Sequence, residues 1–218
     1  MTIKAIFFDF DDTLGDRVTY ATACFRAIMQ EYTDIDDPIL MEEIVQDCMM
    51  WDESGSIAKS HIENMLQKKY GIVLPFDNFM DTWVDLQWRY CVPYEDSERT
   101  LQELEKRYQL GVITNGPVYA QSRKLKQSGL DRYFPENNVI ISGAYPFRKP
   151  DPEIFWEACR HLDVKPEEAV HVGDIYSRDI SGALRAGLTP VWMTASGRKS
   201  GGGNVLKIDK ISDLLKYF

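Results

Sequence analysis

Residues 5–14, AIFFDFDDTL, constrain this chain more than any other stretch. Four residues, Ala5, Ile6, Phe7 and Phe8, run directly into a cluster of carboxylates at Asp9, Asp11 and Asp12. An unbroken apolar run that ends in charge fits a strand buried on both faces whose tip emerges at the edge of a sheet. Crowded carboxylates repel, so each protonates more readily unless a cation sits among them. The cluster is therefore a candidate site for a divalent metal that prefers oxygen ligands. Alternate residues of a strand share a side, so Asp9 and Asp11 can face one pocket while Phe10 faces away and Asp12 points off. Aspartate also favours turns, and a turn with solvated carboxylates is the alternative for this segment taken alone.

After Leu14 the apolar period becomes helical for about 75 residues. Val18, Ala21, Phe25, Ile28, Met29 and Tyr32 form one helical stripe. Asp36-Asp37-Pro38 marks a helix start, followed at helical spacing by Ile39, Leu40, Ile44, Val45 and Cys48. A third helix is predicted over 56–70, stopped by Gly71, and a fourth over 76–91, rich in aromatics at Phe79, Trp83, Trp88 and Tyr90. No strand is expected in this block, which reads as a small helical bundle inserted after the first strand.

From Ser97 onward helices and strands alternate. Leu101, Leu104 and Tyr108 mark a helix, and 110–114 a buried strand broken by Asn115-Gly116-Pro117. A helix over 119–128 ends at Gly129, and a strand over 139–141 precedes a helix over 151–162. A strand over 169–172, a helix over 177–186 ended by Gly187 and a strand over 190–193 follow. Residues 195–203, ASGRKSGGG, read as a surface loop, and a last short strand and helix begin near Val205. The predicted fold class is α/β, a doubly wound, Rossmann-like parallel sheet with an inserted all-helical domain. Ligands of such sheets bind beyond the carboxyl ends of the strands. Those ends carry Asp9 and Asp11, then Thr114-Asn115-Gly116, then Gly173-Asp174, with Lys149 shortly after the strand at 139–141.

The net charge of −9 argues against a surface that coats a nucleic-acid polymer, which needs a basic stripe. No run reaches the length of a membrane span. The N-terminal MTIKAIFF leads straight into the first strand without a secretory signal, so a cytoplasmic location is expected. Cys24, Cys48, Cys91 and Cys159 form no CxxC pair and are expected to be reduced, buried thiols.

Four motifs stand in order: DxDxT at Asp9-Phe10-Asp11-Asp12-Thr13, VITNG with Thr114, Lys149 in RKPDPEIF, and GDxxxxD from Gly173-Asp174 to Asp179. Together they resemble the haloacid dehalogenase superfamily of phosphatases and related hydrolases, over residues 6 to about 193. The resemblance implies that Asp9 attacks phosphorus to form an aspartyl-phosphate, and that Asp11 protonates the leaving alkoxide and then takes a proton from water. It implies a Mg2+ held by Asp9, Asp174 and the backbone carbonyl of Asp11, with Asp179 orienting Asp174 or Lys149. Lys149, the Thr114 hydroxyl and the Asn115 amide would bind phosphate, and Thr13 would brace the first loop. Each has a plainer alternative: a turn at Thr114-Asn115-Gly116, an exposed loop lysine at Lys149, a helix N-cap region at Asp174 and a helix-surface charge at Asp179.

The resemblance further implies a catalytic core of residues 1–15 and 93–218, with residues 16–92 as a cap that closes over the site and excludes water. Trp51, Trp83, Trp88 and Tyr90 are candidates for a substrate slot, though the helical spacing of Trp83 and Tyr90 suits the cap's own core. Asp12, where many relatives carry glycine, reads as peripheral. His171 reads as a packed core histidine, and His61 and His161 as surface residues without partners. Arg178 departs from the small polar residue common before Asp179, and the facing of Tyr145 and Phe147 is left open. The expected activity is Mg2+-dependent hydrolysis of a phosphomonoester of a small soluble metabolite, a nucleoside monophosphate or sugar phosphate, by a monomer or small homo-oligomer. FFDFDDTL and VITNG are similar to the branch that includes pyrimidine nucleotidases. A 2-haloacid dehalogenase, a phosphosugar mutase and a non-enzymatic binding module are the alternatives. Asp11 speaks against the dehalogenase, which needs no acid for its leaving group.

Overall fold

All four residues of β1 (Ala5–Phe8) are buried, as an apolar strand hydrogen-bonded on both sides and covered by helices must be. The computed structural model describes residues 2–194 and 203–218. Five further strands follow: β2 (Gln109–Thr114), β3 (Val139–Ile141), β4 (Ala169–Gly173), β5 (Thr189–Met193) and β6 (Leu206–Ile208). They form one sheet in the order β3-β2-β1-β4-β5-β6, with every neighbouring pair parallel. Phe8 pairs with Val112 of β2 on one side and with Val172 of β4 on the other. The strand order reverses at β1, so the crevice beyond its carboxyl end is the place where a doubly wound sheet offers a site.

The pleat of β1 divides its side chains between two layers. Ala5 and Phe7 join a core with Ile113, Ile140, helix α7 (Pro152–His161) and helix α8 (Ser181–Ala186). On the opposite face Phe8 meets the ring of Phe134 edge-on, with centroids 6.3 Å apart. Helix α5 (Ser97–Leu104) buries Leu101 and Leu104 and packs on the C-terminal 3₁₀ turn Ile211–Lys216. Helix α6 (Val118–Gln127) follows β2. The helix expected over 177–186 instead opens with a π-helical turn, Tyr176–Ile180, before α8 begins.

The chain divides into two compact units, Met1–Asp16 with Pro93–Phe218, and Arg17–Val92. The second unit holds α1 (Arg17–Tyr32), α2 (Pro38–Asp52), α3 (Lys59–Tyr70) and α4 (Phe79–Leu86). Asp37 caps α2 by accepting from the Ile39 amide at 2.8 Å, with Pro38 at the first helical position. The aromatic stretch expected as one helix over 76–91 starts three residues late, because Asn78 caps α4 by accepting from the Met80 amide. It then tightens into a 3₁₀ turn at Gln87–Tyr90. Phe25 and Trp83 pack at 4.5 Å in the centre of this unit, so Trp83 is core. Tyr90, predicted to be core with it, is exposed, as is Val18, whose place on the buried stripe is taken by Tyr20 and Cys24. Trp51 lies half-buried against Tyr70.

The same unit buries a charge cluster. Asp52 accepts from Arg17 at 2.6 Å, from the Gly55 amide at 2.8 Å and from Lys59. The Lys59 ammonium also lies 4.3 Å from the Trp83 ring centroid. Burial works against the anion at Asp52, yet Arg17 and Lys59 hold its carboxyl below the usual range. All four cysteines are buried and none forms a disulfide, and burial pushes the Cys24, Cys48 and Cys159 thiols up to about 12. Among the described residues no helix is long and apolar enough to cross a membrane. The predicted loop at 195–203 lies outside the described residues, except for Gly203.

Removing the shared anion of a buried cluster leaves its cations desolvated and uncompensated. Asp52→Ala is expected to lower stability by about 3–5 kcal/mol, read as a fall in the urea midpoint. An unchanged midpoint would show that Asp52 contributes nothing to the helical unit.

Candidate functional site

The Asp9 amide donates to the Val172 carbonyl at 2.8 Å, which carries the β1–β4 ladder one residue past the strand and fixes the Asp9 backbone. The chain then folds on itself. The amides of Thr13, Leu14 and Gly15 converge on the Phe10 carbonyl at 3.3, 3.0 and 2.8 Å, and the Asp12 amide donates to Gly15 at 2.9 Å. Asp12 adopts a left-handed conformation, φ 58°, which aspartate tolerates better than most residues and glycine better still. Asp12 is buried, not solvated as an aspartate-rich turn would have it. Thr13 joins this turn through its amide, and its buried hydroxyl meets no hydrogen-bond partner among the described residues.

Lys149 is only 3% exposed, and its ammonium donates to Asp9 Oδ1 at 2.6 Å, to the Ile113 carbonyl at 2.7 Å and to Asp179 Oδ1 at 2.7 Å. Three acceptors for three protons complete its hydrogen bonding. Asn115 holds the backbone of the same lysine: its Oδ1 accepts from the Lys149 amide and its Nδ2 donates to the Lys149 carbonyl, both at 2.9 Å. The lysine is therefore built into the sheet edge, and the reading of an exposed loop lysine is excluded.

Asp179, 1% exposed, is no helix-surface charge. Besides Lys149, its Oδ1 lies 3.1 Å from His171 Nε2, and its Oδ2 accepts from the Ile175 amide at 3.0 Å. Asp179 lies on the π-helical turn Tyr176–Ile180, and its own amide bonds back to the Ile175 carbonyl at 2.7 Å, so amide and carboxylate both bind Ile175. Gly173 makes room for it: a Cβ there would meet Asp179 Cβ and Cγ at 2.4 Å. His171, expected to be a packed core residue, does pack edge-on against Phe155 at 5.0 Å, but it also holds Asp179. Asp174 is buried, and its carbonyl accepts from Trp192 Nε1 at 2.8 Å.

Carboxylate oxygens of Asp9, Asp174 and Asp179 all lie within 4.8 Å of one another. Burial pushes the Asp9 carboxyl up to about 7; Lys149 pulls it down, while Asp179 and Asp11 push it further up. Burial also disfavours the anion at Asp179, but Lys149 and His171 hold its carboxyl well below the usual range. Burial lowers the His171 imidazole despite its bond to Asp179. At Lys149 burial works toward neutrality, and the two aspartates overcome it and raise the ammonium. Three hard oxygen donors with more negative charge than one lysine offsets suit a divalent cation of the Mg2+ kind, so the donor set fits the expected metal. Asp179 stands inside this group with both of its oxygens already engaged, by Lys149 and His171 and by the Ile175 amide, whereas the Asp11 carboxylate is not part of it.

The Asp11 carboxylate is engaged by helix α6. Lys124 donates to its two oxygens at 2.6 and 2.5 Å, and Gln121 Nε2 lies 3.3 Å from Oδ2. Gln121 Nε2 also donates to Thr114 Oγ1 at 2.5 Å and to the Asn115 carbonyl at 3.1 Å. The structure thus places Asp9, Lys149, Asp174 and Asp179 in one group, and Asp11, Thr114 and Asn115 beside it in another. Sequence reasoning missed Gln121, Lys124 and the role of His171. A signal existed for the first two, because both share the buried face of α6 with Ala120 and Leu125, where long polar side chains need a reason. Tyr145 and Phe147 stack at 5.3 Å and rest on the core layer under α7. His61 is exposed, but His161 has partners, the Asn137 carbonyl at 2.6 Å and Glu157 at 3.1 Å.

A family model described as haloacid dehalogenase-like hydrolase matches residues 3–187. The chain is 32% identical to a glyceraldehyde 3-phosphate phosphatase of Methanothermobacter thermautotrophicus over 97% of its own length and 98% of that protein's. It is 29% identical to an N-acylneuraminate-9-phosphatase of Mus musculus, covering 90% of this chain and 84% of that one. Among solved structures, a HAD-hydrolase of Bacillus subtilis bound to magnesium superposes with a TM-score of 0.75 at 23% identity, over 99% of this chain and 98% of that one, which is a likeness of fold.

The charge balance has a measurable consequence. With a chelator present, folded Asp9 takes up a proton near pH 7 that the unfolded chain, with its carboxyl near 3.8, does not bind. The cost of Asp9 is therefore full above that pH and is relieved as the pH falls toward the unfolded value. Asp9→Asn is expected to be more stable than wild type at about pH 8, with the gap narrowing below about pH 7 and closing only at about pH 4 in urea titrations. A gap that does not vary with pH would show that Asp9 stays ionised throughout.

Proposed function

We propose that this chain, which belongs to the haloacid dehalogenase-like hydrolase family, hydrolyses a phosphomonoester of a small metabolite through a covalent intermediate on Asp9. The observation that carries this reading is the placement of the Asp9 carboxylate at the switch point of the sheet, held by Lys149 and flanked by Asp174. A phosphomonoester dianion repels nucleophiles, so a site that attacks it must first offset its charge. A carboxylate oxygen of Asp9 forms a bond to phosphorus as the ester P–O bond breaks, and the leaving alkoxide takes a proton from Asp11. Water then attacks phosphorus, passing a proton to Asp11 as the bond to Asp9 breaks and inorganic phosphate leaves. Lys149 keeps Asp9 oriented, and the Thr114 hydroxyl and Asn115 amide donate to phosphoryl oxygens.

Asp9 and Asp174, with the Asp11 carbonyl, would hold Mg2+, and Asp179 would fix Lys149 and the turn after Asp174. The ion, when bound, supplies further positive charge against the phosphoryl group. The names of the relatives favour a phosphorylated carbohydrate or carbohydrate-like acid over a nucleoside monophosphate as the substrate class. The helical unit Arg17–Val92 takes the part of the family's inserted cap.

The test is phosphate release from p-nitrophenyl phosphate, triose and sugar phosphates and nucleoside monophosphates, with Mg2+ and with chelator. Wild type is expected to turn over only with Mg2+, and Asp9→Asn to lose ~10³-fold or more in kcat. Asp11→Asn is expected to lose steady-state turnover while still releasing one equivalent of p-nitrophenol, whose departure needs no acid. Wild-type rates in Asp9→Asn, or turnover that survives the chelator, would overturn the proposal.

A further inference from the structure

We infer that Gln121 is a positioning residue that fixes the direction of the Thr114 hydroxyl and reserves its proton for a bound phosphoryl group, an inference that rests on the phosphatase reading above. Gln121 is 4% exposed, on the face of α6 turned toward the end of β2. Its Nε2 is surrounded by Thr114 Oγ1 at 2.5 Å, the Asn115 carbonyl at 3.1 Å and Asp11 Oδ2 at 3.3 Å. A carbonyl and a carboxylate can only accept, so the amide must present its NH2 to them. The flipped amide would set its own oxygen against both. An amide nitrogen has no lone pair to offer, so at 2.5 Å the Thr114 hydroxyl meets it as an acceptor, and the second amide proton is shared between the Asn115 carbonyl and Asp11 Oδ2.

A threonine hydroxyl has one proton, and with Gln121 occupying a lone pair that proton must find an acceptor elsewhere. The Asn115 carbonyl and Asp11 Oδ2 receive Gln121, and Lys124 donates to both Asp11 oxygens at 2.5 and 2.6 Å. Without Gln121 the hydroxyl rotor loses the donor that holds it as an acceptor, and its proton can turn away from the sheet edge. With Gln121 in place its proton stays available to an anion at the sheet edge. Preorganised donors of this kind are worth most where they need no rearrangement when the ligand arrives.

The experiment measures the affinity of inorganic phosphate by calorimetry in Mg2+ for wild type, Gln121→Met, Thr114→Val and the double variant. Thermal unfolding of each controls for folding. Thr114→Val removes the hydroxyl at constant shape, and Gln121→Met removes the donor without adding charge. Each single change is expected to weaken phosphate binding about ten- to hundredfold, and the double variant to bind no more weakly than Thr114→Val. Losses that multiply in the double variant, or an unchanged affinity in Gln121→Met, would overturn the inference. If Gln121→Met does not fold, Gln121→Glu replaces it in the same comparison, where Thr114→Val supplies the background against which the added charge is read. Wild-type turnover of p-nitrophenyl phosphate is followed in parallel. Phosphate binding with the expected non-additivity but no turnover would overturn the phosphatase reading alone. A wild type that binds no phosphate would overturn both.

Discussion

The buried ammonium of Lys149 is the interaction on which the rest of the site depends. It joins Asp9 of the first strand's tip to Asp179 of the turn after β4 and to the Ile113 carbonyl of β2. Three strands that are neighbours in space but far apart in sequence thus meet on one charge. Two buried carboxylates cannot remain ionised side by side without compensation, and an ammonium with three acceptors gives that compensation in a fixed geometry. The charge is still short by the count of carboxylates, and the Asp9 carboxyl stands at about 7, raised first by burial and then by Asp179 and Asp11 against the pull of Lys149. A site arranged in this way remains receptive to added positive charge.

The surrounding sequence is arranged to deliver the lysine and its partners. Asn115 clamps the Lys149 backbone from both sides. Gly173 leaves the space that the Asp179 side chain enters, and a π-helical turn returns that side chain to the sheet edge. His171, one residue beyond Val170 on the buried strand, spends its ring on Asp179. These are local departures from ideal geometry at a place where the sheet would otherwise simply end, and each serves to hold a charged group in a defined orientation.

Much of the fold was legible because its signals are local. The apolar run of β1, the helix stripe through Phe25 and Ile28, and the breaks at Gly71, Gly129 and Gly187 each follow from the preferences of a few consecutive residues. The motif residues could be placed at strand ends for the same reason. What stayed hidden depends on contacts between distant segments. The turn before α8 is π-helical where Asp179 meets Lys149 and His171, and nothing in YSRDI alone announces it. Tyr90 has helical spacing but lies on a 3₁₀ turn whose tighter pitch exposes it. Gln121 and Lys124 are ordinary helix residues until their face is known to be buried against Asp11 and Thr114. Side-chain partnership across the sheet edge, not secondary structure, is the information a single sequence withholds.

We propose one atom group, the Asp9 carboxylate, as the point of attack on phosphorus. The most direct test is to quench the protein with acid during turnover of a good phosphomonoester and locate the phosphoryl group by peptide mass spectrometry. The account predicts an acid-trapped, hydroxylamine-labile phosphoryl group on the peptide carrying Asp9, most abundant when Asp11 is replaced by asparagine. Turnover that proceeds with the phosphoryl group on another residue, or with none trapped under any condition, would contradict it.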